Sequence, residues 1–300
     1  RKEIAAMYEE FFAFRELPFN VTPDPRYFYR SSSHRNALAH ITYGVFQRKG
    51  FIAMTGEAGA GKTTVVGVFM SLFEPSLEVA FIFSTRFPFD QLLYLICKDF
   101  GLSADGLNKA QMLLLLNEFL IRQSENNRNA VLIIDEAHNL SPDVLEELRM
   151  LSNLETRDRK LLQIMLVGQP ELETLLNMNS LRQLRQRIAG ISRVSVLDRE
   201  ETEHYIRFRL DTASVRESRV LFTADSFDEI YRYSAGIPRL INILCDRSLL
   251  VAYVANAHTV DSRVVREGIQ DLESPGIVSG PGPHRAKAGG APAARSERRT

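Results

Sequence analysis

The chain has no excess of either charge. Its 37 lysines and arginines balance 37 aspartates and glutamates, so composition offers no global argument for a nucleic acid or an anionic membrane surface as partner. Cysteine is scarce. Cys97 and Cys245 stand far apart, each inside an apolar helical pattern, which excludes a disulfide scaffold or a zinc site and fits buried free thiols in a reducing cytoplasm. No apolar run approaches the ~20 residues of a membrane helix, and no secretory leader is evident. The chain therefore reads as soluble. With 45% hydrophobic and 25% charged residues in 300, it can bury a core of one large or two modest domains.

The most informative stretch is Gly56-Glu57-Ala58-Gly59-Ala60-Gly61-Lys62-Thr63-Thr64. It follows an apolar strand pattern, 51–55, and precedes a helical one, 65–73. Strand, glycine-rich loop, Lys-Thr and helix is the context that a phosphate-binding loop requires. Gly56, Gly59 and Gly61 permit backbone angles at which successive N–H groups turn inward around phosphate oxygens. The helix starting near Lys62 aims its positive dipole end at the same anion. Lys62 would reach the β- and γ-phosphates, and Thr63 would take one Mg²⁺ position. A nucleoside triphosphate with Mg²⁺ is the expected ligand.

Residues 8–30 are crowded with aromatics and prolines. They read as a short helix, then an extended strap packed on the face of the nucleotide domain, or in part over the adenine. Ser33 is the expected cap of a helix from His34 to about Arg48. Apolar strands are expected at 77–83, 130–134 and 161–168 and a short one at 192–196. They alternate with helices near 89–100, 108–123, 142–154 and 170–186, and the run 112–116 reads as core. That alternation specifies a parallel sheet covered by helices on both faces. From Asp198, where Glu201 completes a capping-box pattern, only helices are expected, near 199–213, 224–235, 238–256 and 261–272. Beyond Ser274 the sequence is Pro-, Gly- and Ala-rich and basic, reading as a disordered tether, or alternatively a nucleic-acid arm. The domain reading is a strap and first helix over 1–50, an αβα nucleotide-binding domain over 51–197, a helical lid over 198–273 and a tail over 274–300.

Asp135 and Glu136 end the strand 130–134, and ligands of open parallel sheets bind at the carboxyl ends of strands. Asp135 would hold Mg²⁺, and Glu136 would accept a proton from, or orient, the water that attacks the γ-phosphate. Gln169 ends the next strand. It either touches the γ-phosphate or attacking water, or merely starts a helix before Pro170. His138 has no second ligand at metal spacing and reads as a hydrogen-bonding partner in its loop. Arg182, Arg185 and Arg187 form either the polar face of a helix or a guanidinium source for a neighbouring subunit's nucleotide. Arg239, in Gly236-Ile-Pro-Arg239, would point from the lid toward the phosphates.

Together these residues resemble the AAA+ ATPases: Walker A at 56–63, Walker B at 131–136, sensor 1 at Gln169, finger arginines before the last strand and a sensor-2 Arg239. The likeness is closer to the ExeA/GspA-like secretion ATPases. It is carried by Met7-Tyr-Glu-Glu-Phe-Phe, Leu17 to Pro25, Ile133-Ile-Asp-Glu-Ala-His-Asn-Leu-Ser141, Leu148 to Thr156, Leu166-Val-Gly-Gln-Pro-Glu-Leu172 and the run 182–187, over roughly residues 7–272. The resemblance implies an α/β P-loop NTPase fold with a small all-helical lid, Mg-dependent ATP hydrolysis and homo-oligomers with an arginine finger in trans. It further implies secretion or envelope-assembly membrane proteins as partners, and a cytoplasmic location peripheral to the inner membrane. Some such proteins continue into a membrane helix and a peptidoglycan-binding module, which the resemblance does not carry over to a chain ending in a linker. A DNA-binding AAA+ regulator of the transposition type is the alternative, for which a continuous basic stripe would be needed.

Overall fold

The structure is a computed structural model that describes residues 8–22, 24–83, 87–156, 159–215 and 220–274. The tail reading falls on 275–300, outside the described residues.

Five parallel strands form one sheet: β1 (Phe51–Gly56), β2 (Leu77–Ile82), β3 (Asn129–Ile134), β4 (Leu162–Gly168) and β5 (Ile188–Val194), in the order β2-β3-β4-β1-β5. The three central strands are buried along their whole length, which is why they read as unbroken apolar runs rather than alternations. Alternate side chains serve opposite faces. Ala53, Leu132, Ile134, Ile164 and Leu166 pack against α3 (Phe89–Asp99), α4 (Lys109–Glu125) and α5 (Pro142–Leu151). Ile52, Met54, Val131, Ile133, Met165 and Val167 meet α1 (Ser32–Phe46) and α2 (Lys62–Phe73) on the other face.

Local chemistry sets the helix starts. Asn108 and Gln111 form a reciprocal capping box for α4, and the Ser141 hydroxyl caps α5 ahead of Pro142. Several boundaries differ from the sequence reading. The cap of α1 is Ser31, whose Oγ accepts from His34 N; Ser33 instead donates to Arg193 O and accepts from Ser195 N. The last strand begins four residues early, at Ile188, because β5 is an edge strand with an alternating, half-exposed pattern and no continuous apolar run. The helix expected over 170–186 breaks into α6 (Glu171–Leu176), a 3-10 turn at Asn179–Leu181 and α7 (Arg182–Arg185). Asn177 and Asn179 interrupt it, since short polar side chains compete for backbone groups. In the 112–116 run Met112 and Leu116 are buried but Leu114 is exposed.

A helical lobe follows: α8 (Arg199–Ala213), α9 (Ala224–Ser234), α10 (Pro238–Val254) and α11 (Ser262–Glu273). It also contains a two-residue parallel pair, β6 (Leu221–Phe222) with β7 (Thr259–Val260), too short to leave a periodic trace in the sequence. Both thiols are buried and free; burial pushes Cys97 up to about 11. Among the described residues no helix is long and apolar enough to cross a membrane.

The strap does not pack where the sequence reading puts it. Tyr8, Phe12, Phe14, Phe19 and Tyr27 join the core of the helical lobe, with Tyr205, Ile206, Leu244 and Leu249, and only Phe28 joins the sheet-side core. Phe14 pairs with Ser214 in an antiparallel bridge, Arg15 N donates to Ala213 O, and the Tyr8 hydroxyl donates to Asp246 Oδ1 at 2.5 Å. From α8, Arg209 is buried beneath the strap. It donates to Pro18 O (2.5 Å), Asn20 O (2.9 Å) and the Tyr205 hydroxyl (2.9 Å), with its guanidinium 4.6 Å from the Tyr27 ring centre.

Candidate functional site

Parallel register brings the chemistry to one edge of the sheet. Thr55 pairs with Gly168 across β1 and β4, and Ile134 with Leu166 across β3 and β4. The residues that follow these strands, the 56–63 loop, Asp135-Glu136 and Gln169, therefore emerge side by side. Gly61 takes φ +100° as the N-cap of α2, a conformation that L side chains resist. A Cβ there would also lie 2.7 Å from His34 Nε2.

Lys62 is folded back into its loop, Nζ donating to Gly56 O (2.8 Å) and Glu57 O (3.0 Å). Burial draws its pKa below the ordinary lysine value, opposed by the charges of Glu136 and Asp135. An ammonium held by neutral carbonyls retains its attraction for an incoming polyphosphate. Thr63 Oγ1 donates to Asp135 Oδ2 at 3.2 Å, and Asp135 Oδ1 accepts from Glu136 N at 2.9 Å. These two oxygen donors fit Mg²⁺, a hard cation usually bound by one or two protein ligands together with substrate phosphates. Among the described residues there is no cluster of three or more acidic, His or Cys residues that could hold a metal ion.

Glu136 adopts a left-handed backbone, φ +52°, in the turn between β3 and the 3-10 segment Ala137–Asn139. Gln169 Nε2 lies 3.3 Å from Glu136 Oε2, and His138 Nε2 is also 3.3 Å from that oxygen. Gln169 N lies 3.3 Å from His138 Nδ1. Gln169 thus sits beside the second carboxylate and just before the start of α6.

A cavity of about 420 Å³ opens along this edge, lined by Ala58, Gly59, Gly61, Lys62, Thr63, Thr64, Glu136 and Arg239. Arg239 reaches it from the first turn of α10, its N–H donating to Gly59 O at 3.3 Å. Arg182, Arg185 and Arg187 do not line it. Arg187 donates to Arg149 O, Ser152 Oγ and Asn153 Oδ1 of its own chain, whereas exposed Arg185 donates to Asn177 Oδ1 among the described residues.

Other lining residues receive no site role from the sequence: Asn20 to Thr22, which lie in the Leu17 to Pro25 stretch, and Tyr29, His34, Tyr205, Arg209 and Asn242. The crowded strap was a signal for the first group. His34 sits between Ser31 Oγ and Ala60 O, with burial lowering its pKa; in the sequence it is only one residue of an amphipathic helix.

The sheet order, the phosphate loop in its strand–helix context and the acidic pair beside it define a P-loop NTPase of the AAA+ class. Residues 45–176 match the AAA domain family. Over 255 residues, 85% of its length, the chain is 40% identical to General secretion pathway protein A of Aeromonas hydrophila. It is similar to the AAA+ proteins of that type, and it spans 46% of that relative's length. Solved structures share the fold at low identity. Cdc6p from Pyrobaculum aerophilum superposes with a TM-score of 0.67 at 17% identity, covering 85% of this chain and 70% of that one. The Aeropyrum pernix ORC1 protein in complex with DNA gives 0.62 at 15%, covering 87% and 70%, and a Thermotoga maritima RuvB mutant 0.54 at 18%, covering 79% and 69%.

Proposed function

We propose that the chain hydrolyses ATP with Mg²⁺ and uses the cycle to power or regulate assembly of a bacterial secretion or envelope system at the cytoplasmic face of the inner membrane. The observation that carries the hydrolytic part is one cavity bordered at once by the phosphate loop, by Glu136 and by Arg239 of the helical lobe. The secretion part rests on the similarity to General secretion pathway protein A. The loop amides and Lys62 bind the β- and γ-phosphates. Thr63 and Asp135 would hold Mg²⁺, which when bound would offset charge on the phosphate oxygens. Glu136 takes the proton of the attacking water while Gln169 orients it, and Arg239 draws the lobe toward the γ-phosphate.

In this reading the chain acts as a homo-oligomer, and Arg185, less engaged within its own chain than Arg187, reaches the neighbouring subunit's phosphate. Lys62→Ala should lose nucleotide affinity. Glu136→Gln should keep affinity but lose about 10²–10⁴-fold in kcat. Mixing Arg185→Ala with Glu136→Gln should restore activity that neither has alone; full activity of Arg185→Ala by itself would sink the finger assignment. The deciding measurement is ATPase rate against protein concentration, with and without duplex DNA at two salt concentrations. A rate that rises with concentration and ignores DNA supports this function. Strong, salt-sensitive stimulation by DNA would replace it with the DNA-dependent regulator.

A further inference from the structure

We propose that His138 is a positioning residue that holds the Glu136 carboxylate through its Nε2–H, in a ring orientation and tautomer set by the backbone of Gln169. The inference rests on the reading of Glu136 as the proton acceptor for the attacking water.

A backbone amide can only donate. With Gln169 N 3.3 Å from His138 Nδ1, that ring nitrogen must present its lone pair, since a proton there would set donor against donor. The neutral ring then carries its proton on Nε2. Nε2 lies 3.3 Å from Glu136 Oε2, so the N–H is aimed at the carboxylate. Gln169 Nε2 reaches the same oxygen at 3.3 Å, and the two donor nitrogens stand 3.4 Å apart. That spacing suits two donors converging on one acceptor. Gln169 therefore acts twice, directly through its amide and indirectly by fixing the imidazole.

The support is rigid. The His138 side chain is 14% exposed, and its turn packs so close to the end of β4 that a Cβ on Gly168 would lie 3.2 Å from His138 N. Glu136, by contrast, has a side chain 45% exposed on three rotatable bonds. A base of that kind needs external anchoring to spend its time in one geometry, and misplacing a reacting group by an ångström can cost about 10²-fold in rate.

The amide side chains separate the two halves of the imidazole. In His138→Asn the oxygen can replace Nδ1 as acceptor for Gln169 N–H, but the donation from the imidazole Nε2–H to Glu136 is lost. In His138→Gln the terminal amide nitrogen can take the place of Nε2. Steady-state ATPase kinetics, nucleotide affinity by titration with a fluorescent ATP analogue, and urea midpoints would be measured for both, alone and combined with Glu136→Gln. Asn should lower kcat about 10- to 100-fold with KM, affinity and urea midpoint little changed. Gln should recover most of the rate, and Asn should subtract nothing further from the residual rate of Glu136→Gln. A purely structural histidine would not distinguish Gln from Asn in this order. Unchanged kcat in Asn, equal loss in Gln and Asn, or a further drop in the double variant would overturn the proposal. Full activity of Glu136→Gln alone would instead overturn the reading of Glu136 on which it rests.

Discussion

Arg209 supplies the sharpest test of how the strap is held. Replacing it with Met keeps the length and apolar stem but removes every donor. Pro18 is buried, so its carbonyl would lose its partner, at a cost of about 1–3 kcal/mol. Asn20 is exposed, and its carbonyl would return to water. The Tyr205 hydroxyl would keep its bond to Asn242 Oδ1. Loss of the guanidinium from the Tyr27 ring adds about 1 kcal/mol. Removing a desolvated charge acts in the opposite direction. The first two effects together set an upper bound of about 2–4 kcal/mol of destabilisation, which the third reduces, against the roughly 5–15 kcal/mol typical of a folded protein. Arg209→Lys keeps the charge but cannot span both carbonyls, and should lose about half as much. The chain has no tryptophan and nine tyrosines, so urea unfolding can be followed by tyrosine emission, with Tyr27 and Tyr205 at the contact itself. Nucleotide-free protein keeps the cavity's ligand affinity out of the measurement. A Met variant within about 0.5 kcal/mol of the parent would refute the claim that this arginine secures the strap.

Gly236→Ala should be severe, since φ there is +75° and the new Cβ would lie 1.8 Å from Leu197 O. A urea midpoint lowered well beyond the ~1–2 kcal/mol of left-handed backbone alone is expected. Gly67→Ala, in a helix with nothing within 4 Å of the new atom, should gain about 0.5–1 kcal/mol; equal behaviour of the two would refute the steric account. The Arg193 guanidinium, and then the Thr55 hydroxyl, hold Glu173 below the ordinary carboxylate range. Its folded pKa is thus lower than its unfolded one, so its contribution is present above the unfolded value and lost as pH falls through the folded one. The stability difference between parent and Glu173→Gln should be small, flat above about pH 5 and shrinking below about pH 4; a pH-independent difference would contradict the assignment.

The parts of the site legible in the sequence were those whose chemistry is local. Gly61 announces its turn because few other residues tolerate it, and Asp135-Glu136 stands out because five apolar residues precede it. The illegible parts depend on which distant segments become neighbours. His138 meets Gln169 only because β3 and β4 pair in one register, a relation across 31 residues of chain that no spacing rule encodes. Arg209 reads in the sequence as one more charge on a helix in which five of the first nine residues are Glu or Arg. The strap's aromatics demand burial, but the demand does not name the surface that satisfies it, and the helical lobe rather than the sheet provides it. An edge strand such as β5 is blurred for the opposite reason: half of it faces water, so its apolar signal is diluted.

The placement of the strap gives the helical lobe two covalent attachments to the sheet domain instead of one. The chain leaves the lobe near Asn20, runs along the cavity and enters α1, and it returns from β5 to the lobe through residues 195–198. The two crossings are tied to each other where Ser33 Oγ meets Arg193 O and Ser195 N. A body on a single tether can swing in any direction, but one held by two adjacent, cross-linked strands turns about a short axis. The nucleotide cavity lies beside that axis, bordered by one of the strands that form it. A rotation that opens the cavity would therefore carry the strap along one of its walls.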